Sequence, residues 1–139
     1  MVNDGMMFIA TPQNQVMAVD ARTGELRWRY RRRPPPGLQQ LHPTSRGVGL
    51  WDDKVYLATH DAALVALDAG TGEQQWEVST GDYSTGLGHA HPSLIADGKV
   101  ILGFAGGDRS ARGAVVAHDA ETGERLWITY TVPAPGEPG

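Results

Sequence analysis

The sequence contains no cysteine among its 139 residues. This absence excludes disulfide bonds, thiolate metal ligands and a cysteine nucleophile together. It leaves the cellular compartment open, because secreted proteins can also lack cysteine.

The sequence also lacks a surplus of positive charge and a long apolar run. Its net charge of −4 argues against nucleic acid as the main partner, because phosphate binding needs a basic face. No apolar stretch approaches the length of a membrane-spanning helix. Residues 1–10 show no basic region followed by a long apolar run, so no signal peptide is visible. Whether the protein associates with a membrane in another way stays open.

Glycine and proline, by contrast, are abundant, with 18 and 9 residues respectively. These residues interrupt regular structure and favour turns, so the composition suits a strand-and-turn protein better than a helical one. Hydrophobic residues make up 40% of the chain, which is enough for a core.

The most informative feature is an eleven-residue pattern, A-x-D-x-x-T-G-E-x-x-W, that occurs three times. It covers residues 18–28, 66–76 and 117–127. From Trp28 to Trp76 is 48 residues, and from Trp76 to Trp127 is 51. A period near fifty residues built from short strands is typical of propeller blades. The sequence therefore predicts an all-β fold, a partial β-propeller of about three four-stranded antiparallel blades.

Alternation of apolar and polar residues predicts the strands of each blade. Three are predicted in the first unit, at residues 6–10, 15–20 and 26–30. Four are predicted in the second, at 48–51, 54–59, 63–68 and 75–78, and four in the third, at 93–96, 99–104, 114–119 and 126–131. The first unit is predicted to lack its innermost strand, because only five residues precede Met6.

The turns carry their own signals. Asp4-Gly5 and Asp97-Gly98 accept the positive φ of tight hairpins, and Asp52-Asp53 occupies the equivalent place in the second unit. The Thr-Gly pair of the repeat is expected to close the last hairpin of each blade. The tryptophan is expected to fill the space between neighbouring blades, so the repeat is interpreted as structural.

The predicted organisation is blade 1 at about 1–33, a linker at 34–44, blade 2 at about 45–80, blade 3 at about 81–132 and a tail at 133–139. Arg31, Arg32 and Arg33 precede three prolines and are expected in a solvated loop. Propellers close with about four to eight blades, so three would leave apolar faces and strand edges open. Either the chain is cut from a larger protein, which we favour, or it pairs with something.

Because many propeller families share similar repeats, the segments between the repeats indicate which family the sequence resembles. They are 44–51, with Arg46-Gly47-Val48 at a strand start; 103–113, with the pattern Gly-Gly-acid-x-x-x-Arg-Gly; and 130–139, ending Pro-Ala-Pro-Gly-Glu-Pro-Gly. In this order they resemble the N-terminal part of the alcohol dehydrogenases that depend on pyrroloquinoline quinone (PQQ). That is the methanol/ethanol dehydrogenase family of eight-bladed quinoprotein propellers.

The resemblance implies a periplasmic enzyme that oxidises a primary alcohol to an aldehyde. In this family PQQ lies in the central channel beside a calcium or lanthanide ion. An acidic side chain removes the alcohol proton while hydride passes to the quinone, and a cytochrome-type acceptor takes the electrons. A small alcohol and PQQ are thus the partners implied for a full-length parent.

The resemblance also implies site residues. Arg46 matches the arginine that reaches the acidic groups of PQQ, and a guanidinium suits carboxylates. Ala105, Gly106 and Gly107 match the small residues whose backbone amides lie over the cofactor, where a flat ring must approach the main chain. Asp108 stands where the family has a metal-binding glutamate, one methylene longer; a carboxylate suits a hard cation.

Several residues depart from the family pattern. The family's paired cysteines would fall near Gln40 and Leu41, so that clamp is absent. The family's threonine has no clean counterpart, and Thr85 is a candidate substitute. His89 and His91 alternate as if on one strand face, but a zinc site is not favoured because no third ligand is evident nearby. His118 is interpreted as a packing variant.

Three hypotheses follow. The favoured one is part of a PQQ-dependent alcohol dehydrogenase; no catalytic residue is assigned, because the family's catalytic aspartate, second metal ligand and ring-supporting tryptophan come later in the chain. The chain alone is then expected to be inactive. The alternatives are a non-enzymatic propeller scaffold of the outer-membrane assembly lipoprotein type and a cofactor-free remnant of the enzyme.

Overall fold

The structure, a computed structural model, describes residues 1–38, 44–107 and 111–138. Its twelve strands are β1 (Val2–Asn3), β2 (Met6–Thr11), β3 (Gln15–Asp20), β4 (Leu26–Arg31), β5 (Gly49–Trp51), β6 (Lys54–Ala58), β7 (Ala63–Asp68), β8 (Gln74–Ser79), β9 (Leu94–Ala96), β10 (Lys99–Gly103), β11 (Ala114–Asp119) and β12 (Arg125–Tyr130). They form three four-stranded antiparallel sheets, each ordered as a simple meander. The predicted fold, a partial propeller of three four-stranded blades, is confirmed.

The first blade has a fourth strand, so the prediction that its innermost strand is missing was wrong. Val2 pairs with Met7 and Asn3 with Met6. Asp4 and Gly5 form the turn between them, with φ of 46° and 75°. A strand of two residues is too short for an alternating pattern to show. The Asp-Gly turn was the available signal, since such a turn joins two paired strands.

The repeat builds the last turn of each blade. Asp68 Oδ1 accepts hydrogen bonds from the backbone N–H of Thr71 at 2.7 Å and from its hydroxyl at 2.9 Å. These bonds hold the pKa of Asp68 below its usual range, and the bond from the amide has the larger effect. Gly72 then adopts φ of 76°, which a residue with a Cβ rarely takes. Equivalent amide bonds join Asp20 to Thr23 and Asp119 to Thr122.

Two apolar clusters lie between neighbouring blades. Between the first and second blades pack Phe8, Val16, Ala18, Trp28, Val48, Val55, Leu57, Val65 and Leu67. Between the second and third pack Tyr56, Ala58, Leu64, Ala66, Val100, Leu102, Val116 and Ala120. The middle blade is therefore buried on both faces, and each large side chain there contributes roughly 1.5–3 kcal/mol through burial.

Trp28 and Trp76 fill the space between blades, as the sequence predicts. The Trp28 ring covers Gly72 of the next blade so closely that a Cβ there would lie 2.5 Å from Cε3. Trp76 covers Gly123 in the same way. The first and second repeats thus each contact the repeat that follows through their tryptophan.

The meander sorts the connections to two ends of the sheets. The Asp-Gly-type and Thr-Gly turns lie at one end. The loops β2–β3, β6–β7 and β10–β11, with the connections from one blade to the next, lie at the other, called here the loop end. Arg46 and Ala105-Gly106-Gly107 belong to the loop end, separated from the repeat turns by the strand length.

A 3-10 turn spans Tyr83–Thr85. No helix among the described residues is long and apolar enough to cross a membrane.

Candidate functional site

The loop end brings together the segments that carry the predicted cofactor-binding residues. The backbone N–H of Arg46 donates to the carbonyl of Ala90 at 3.1 Å. On the other side of the same connection, Gly88 and Ala105 form an isolated antiparallel bridge, with N···O distances of 3.4 and 3.2 Å. The connection 86–92 therefore joins the Arg46 segment to the Ala105 segment.

The Arg46 side chain is exposed. Its guanidinium makes no ion pair with any residue in the described ranges. Gly47, which follows it, has φ of 146°, and a Cβ there would lie 3.2 Å from Pro92. The close approach to Pro92 fixes the backbone beside Arg46 while the side chain stays accessible.

His60 holds the segment that leads to Arg46. Its Nε2 lies 2.8 Å from the carbonyl oxygen of Thr44, and its Nδ1 lies 2.8 Å from Oδ1 of Asn14. Asn14 is buried in the first blade's loop, with φ of 55°. Sequence reasoning missed both residues; the only signal was an asparagine in a tight loop, where positive φ is tolerated.

An ion-pair network stabilises the loop end. Arg32 Nη2 lies 2.6 Å from Asp61 Oδ2, and Arg32 Nη1 pairs with Glu77. The Asp61 side chain is only 2% exposed. Burial raises the pKa of Asp61, but the hydrogen bonds from Arg32 and Thr59 outweigh it, so that pKa lies below its usual range. The expectation of a solvated arginine loop was wrong for Arg32. Its guanidinium is drawn inward because it balances the charge of the buried Asp61 carboxylate.

The small residues form an open strip. Ala105 and Gly107 are exposed. A Cβ at Gly107 would meet no described atom within 4 Å, whereas a Cβ at Gly106 would overlap the carbonyl oxygen of Gly86. Gly106 also has φ of 117°. Glycine is therefore required at 106 by the fold itself, and at 107 it leaves the main chain uncovered.

The predicted metal ligand, Asp108, lies outside the described residues. Among residues 1–38, 44–107 and 111–138, no group of three or more His, Asp or Glu side chains is placed to hold a metal ion. The positions near Gln40 and Leu41 also fall outside the described ranges.

His89 and His91 lie in the irregular segment before β9 and not on a strand. His89 Nδ1 and His91 Nε2 lie 3.0 and 2.8 Å from the carbonyl oxygen of Gly103. Thr80 Oγ1 lies 2.8 Å from His89 Nε2. Burial lowers the pKa of His89 to about 4, so this ring is neutral at pH 7. The pair fixes the end of β10, from which the strip continues.

Thr85 and His118 make local contacts. The Thr85 hydroxyl donates to the carbonyl of Asp82 at 2.7 Å within the 3-10 turn, and its side chain is exposed. His118 is buried, with Nδ1 2.9 Å from the carbonyl oxygen of Gly123. Burial lowers the pKa of His118. Its position agrees with the interpretation as a packing residue.

Arg112 ties the far end of the β10–β11 loop to the tail. Its Nε donates to the carbonyl of Val132 at 2.6 Å, and its Nη2 lies 2.5 Å from Glu137 Oε2. The guanidinium carbon stands 3.9 Å from the centre of the Tyr130 ring. Arg112 and Glu137 belong to two separate sequence segments, 103–113 and 130–139, and their contact across 25 residues could not be predicted from either.

The chain is similar to known proteins over nearly its whole length. The family described as PQQ, glucose/ethanol/alcohol dehydrogenase, beta-propeller domain, matches residues 1–138. The chain is 39% identical over 141 residues to the quinohemoprotein alcohol dehydrogenase ADH-IIG of Pseudomonas putida, which covers 99% of this chain and 19% of that protein.

Solved structures show the same likeness. That of ADHIIG from Pseudomonas putida HK5 superposes with a TM-score of 0.89 at 37% identity, over 99% of this chain and 21% of that one. A europium-containing methanol dehydrogenase gives 0.86 at 28% identity, over 93% and 23%. BamB from Moraxella catarrhalis gives 0.66 at 24% identity, over 92% and 34%, which shows the fold alone.

The chain spans about a fifth of the length of the curated relatives that it matches. Within that span the family model covers all but the final residue. The protein therefore belongs to the PQQ glucose/ethanol/alcohol dehydrogenase β-propeller family.

Proposed function

We propose that this chain forms one side of the cofactor site of a PQQ-dependent dehydrogenase that oxidises primary alcohols to aldehydes. The observation that carries the proposal is the pairing, across the connection 86–92, of the exposed Arg46 with the open strip Ala105-Gly106-Gly107. Family membership supports the reaction class, and the geometry of the loop end supports the proposed place of the site.

The residues present fit PQQ, which is a planar tricarboxylate. Arg46 offers an accessible guanidinium, whose paired donors match a carboxylate. Gly107 leaves the backbone uncovered where a flat ring could approach. When bound, the quinone supplies an acceptor for the hydride that leaves the alcohol. This chain's residues bind and orient the cofactor; none of them is proposed as the catalytic base.

We further propose a calcium or lanthanide ion beside the cofactor, with Asp108 as one ligand. The support is the carboxylate at that position in the sequence and a structural neighbour whose name includes europium. We also propose that the substrate is a small primary alcohol and that a cytochrome-type acceptor takes the electrons. The periplasm stays a prediction from the resemblance.

The scaffold alternative is weaker. The BamB likeness is lower in both identity and TM-score than those of the dehydrogenases. A scaffold also has no need of an accessible arginine beside an uncovered glycine strip.

Titration of the chain with PQQ, followed by tryptophan fluorescence in the presence of Ca²⁺, tests the proposal. We expect saturable binding at micromolar concentrations, weakened about tenfold or more by Arg46→Gln, since a charge-assisted bond contributes about 1.5–3 kcal/mol. Arg29→Gln is the matched control, because Arg29 is also exposed but lies on the outer strand of the first blade. Absence of saturable binding, or equal losses in the two variants, would overturn the proposal.

A further inference from the structure

The imidazole ring of His60 lies between two oxygen atoms. Its Nδ1 is 2.8 Å from Oδ1 of Asn14, and its Nε2 is 2.8 Å from the carbonyl oxygen of Thr44. A carbonyl oxygen only accepts, so each of these contacts needs a hydrogen on the ring nitrogen. A neutral imidazole carries one N–H, whereas an imidazolium carries two. The ring therefore makes both hydrogen bonds only when it is protonated.

The other contacts of Asn14 fix which way its amide points. Asn14 Nδ2 donates to Asp61 Oδ1 at 3.4 Å, and the backbone N–H of His60 donates to Asn14 Oδ1 at 3.2 Å. A carboxylate accepts and a backbone N–H donates, so the oxygen of this amide faces the His60 ring. In either neutral tautomer, one ring nitrogen of His60 then faces an oxygen with no hydrogen between them.

The charges near this ring belong to three elements. In the described part of the chain, the charged or titratable side chains around His60 are those of Asp61, Arg32, Glu77, Arg46 and His89. The two carboxylates and the guanidinium of Arg32 carry one net negative charge, which a protonated His60 brings to zero. Arg46 is exposed to solvent, and the buried His89 ring is neutral at pH 7 because burial lowers its pKa to about 4.

Two anchors hold the backbone that presents Arg46. One is the carbonyl of Thr44 at the His60 ring, and the other is the N–H of Arg46, which donates to the carbonyl of Ala90 at 3.1 Å. Only the first depends on a titratable group. It also joins two blades, because His60 lies in the β6–β7 loop and Asn14 in the β2–β3 loop. Loss of this anchor frees the backbone on the N-terminal side of Arg46.

We propose that His60 is a positioning residue for Arg46, and that its second proton closes a latch formed by Asn14, His60 and Thr44. The inference rests on the proposed function, since the latch acts on the arginine that would bind a carboxylate of PQQ. With the ring protonated, the segment is ordered before PQQ binds, which favours binding. With the ring neutral, the contact to Thr44 opens. PQQ affinity should therefore be higher at low pH and fall as the ring loses its proton.

The carbonyl ¹³C shift of Thr44, followed without PQQ from about pH 8 to about pH 5.5, tests the latch itself. Histidine side chains ordinarily change charge within this range. We expect the Thr44 signal to move together with the ring signals of His60, while the carbonyl signal of Ala90 stays unchanged. A Thr44 signal that stays constant, or that moves without His60, overturns the inference. The measurement needs no variant, so it decides the matter even if a substitution at His60 impairs folding.

PQQ titration in the presence of Ca²⁺, at about pH 8 and about pH 6, tests the effect on the site. We expect about fivefold tighter binding at the lower pH, near the lower end of the cost of ordering one backbone residue. His60→Gln cannot gain a proton and should lose this difference. His91→Gln is the matched control and should keep it, because the His91 ring also faces two carbonyl oxygens, those of Gly103 and Pro92, and not that of Thr44.

The latch and the proposed function fail in different ways. No PQQ binding at either pH overturns the proposed function, and the coupling to His60 with it. Binding that is equally strong at both pH values overturns the role of His60 alone. So does a pH dependence that His60→Gln retains, or one that His91→Gln abolishes, since either result assigns the effect to another group.

Discussion

Trp28 Nε1 donates to the carbonyl of Ala69 at 2.9 Å, across the boundary between the first two blades. At the next boundary the Tyr56 hydroxyl donates to the equivalent carbonyl, that of Ala120, at 2.9 Å. Trp76 Nε1 is buried there without a partner in the described part of the chain. In the first blade Phe8 replaces Tyr56, with its ring centre 5.9 Å from that of Trp28. A single hydroxyl thus decides which side chain bonds the neighbouring blade.

Trp28→Phe should destabilise the chain by about 2–4 kcal/mol, because it removes a hydrogen bond and leaves space between two blades. Urea unfolding followed by circular dichroism measures the change. Trp127→Phe is the control and should change stability by less than about 0.5 kcal/mol, since Trp127 is 40% exposed, against 8% for Trp28. Equal losses in the two variants would show that Trp28 is not docked as described.

Asp61→Asn should cost roughly 3–5 kcal/mol, because it leaves the largely buried Arg32 without the carboxylate that accepts bonds from both its Nε and its Nη2. Asp97→Asn removes a carboxylate that is 94% exposed beside Lys99, and should change the free energy of unfolding by at most about 1 kcal/mol. Chemical denaturation of both variants separates the two cases. A neutral Asp61→Asn would show that the network with Arg32 does not form.

The pH dependence of stability should carry the signature of His89. Its pKa in the folded state is about 4, below the value of about 6.5 in an unfolded chain, so the unfolded state binds more protons between those values. Stability should therefore fall as pH drops from about 6.5 to 4, by up to about 3 kcal/mol from this group. His118, whose pKa is also lowered by burial, and Asp61, at lower pH, act in the same direction.

Urea midpoints at pH 7.5 and pH 5 measure this fall. His89→Asn keeps an N–H that can donate to Gly103 but cannot be protonated, so its midpoint should change less between the two pH values than that of the parent. A parallel fall in both proteins would show that His89 does not titrate between them.

The two glycines of the strip should separate folding from cofactor binding. Gly106→Ala should cost about 1–3 kcal/mol, because an alanine would overlap Gly86 and take an unfavourable φ. Gly107→Ala should leave stability nearly unchanged, since its Cβ meets no described atom within 4 Å, yet lower PQQ affinity by covering the backbone. Thermal unfolding and PQQ titration of each variant test the distinction. Unchanged affinity in Gly107→Ala would place the cofactor elsewhere.

Much of the fold could be predicted because the repeat forms its turn through contacts between residues close in sequence. Asp68, Thr71 and Gly72 form their turn through contacts within a few residues, and the strands beside them alternate with period two. The middle blade departs from strict alternation, since Leu64 and Val65 are both buried, but its β-branched and apolar content still predicts a strand.

The supports of the site could not be predicted in the same way. The bond from Arg32 to Asp61 spans 29 residues, and that from His60 to Asn14 spans 46. No periodicity links such pairs, because they meet only after blades pack. Arg46 and Gly107 were found through resemblance to a family, because no local rule distinguishes a cofactor-binding arginine or glycine from any other on a loop.

The most direct test is a ¹⁵N–¹H correlation spectrum of the labelled chain, recorded during titration with PQQ and Ca²⁺. We expect amide shifts to concentrate at the loop end, in residues 44–47, 86–91 and 104–107. Amides of the Thr-Gly turns, at the opposite end of the strands, should stay unchanged. Shifts centred on those turns, or no saturable shifts at all, would contradict the placement of a cofactor site beside Arg46.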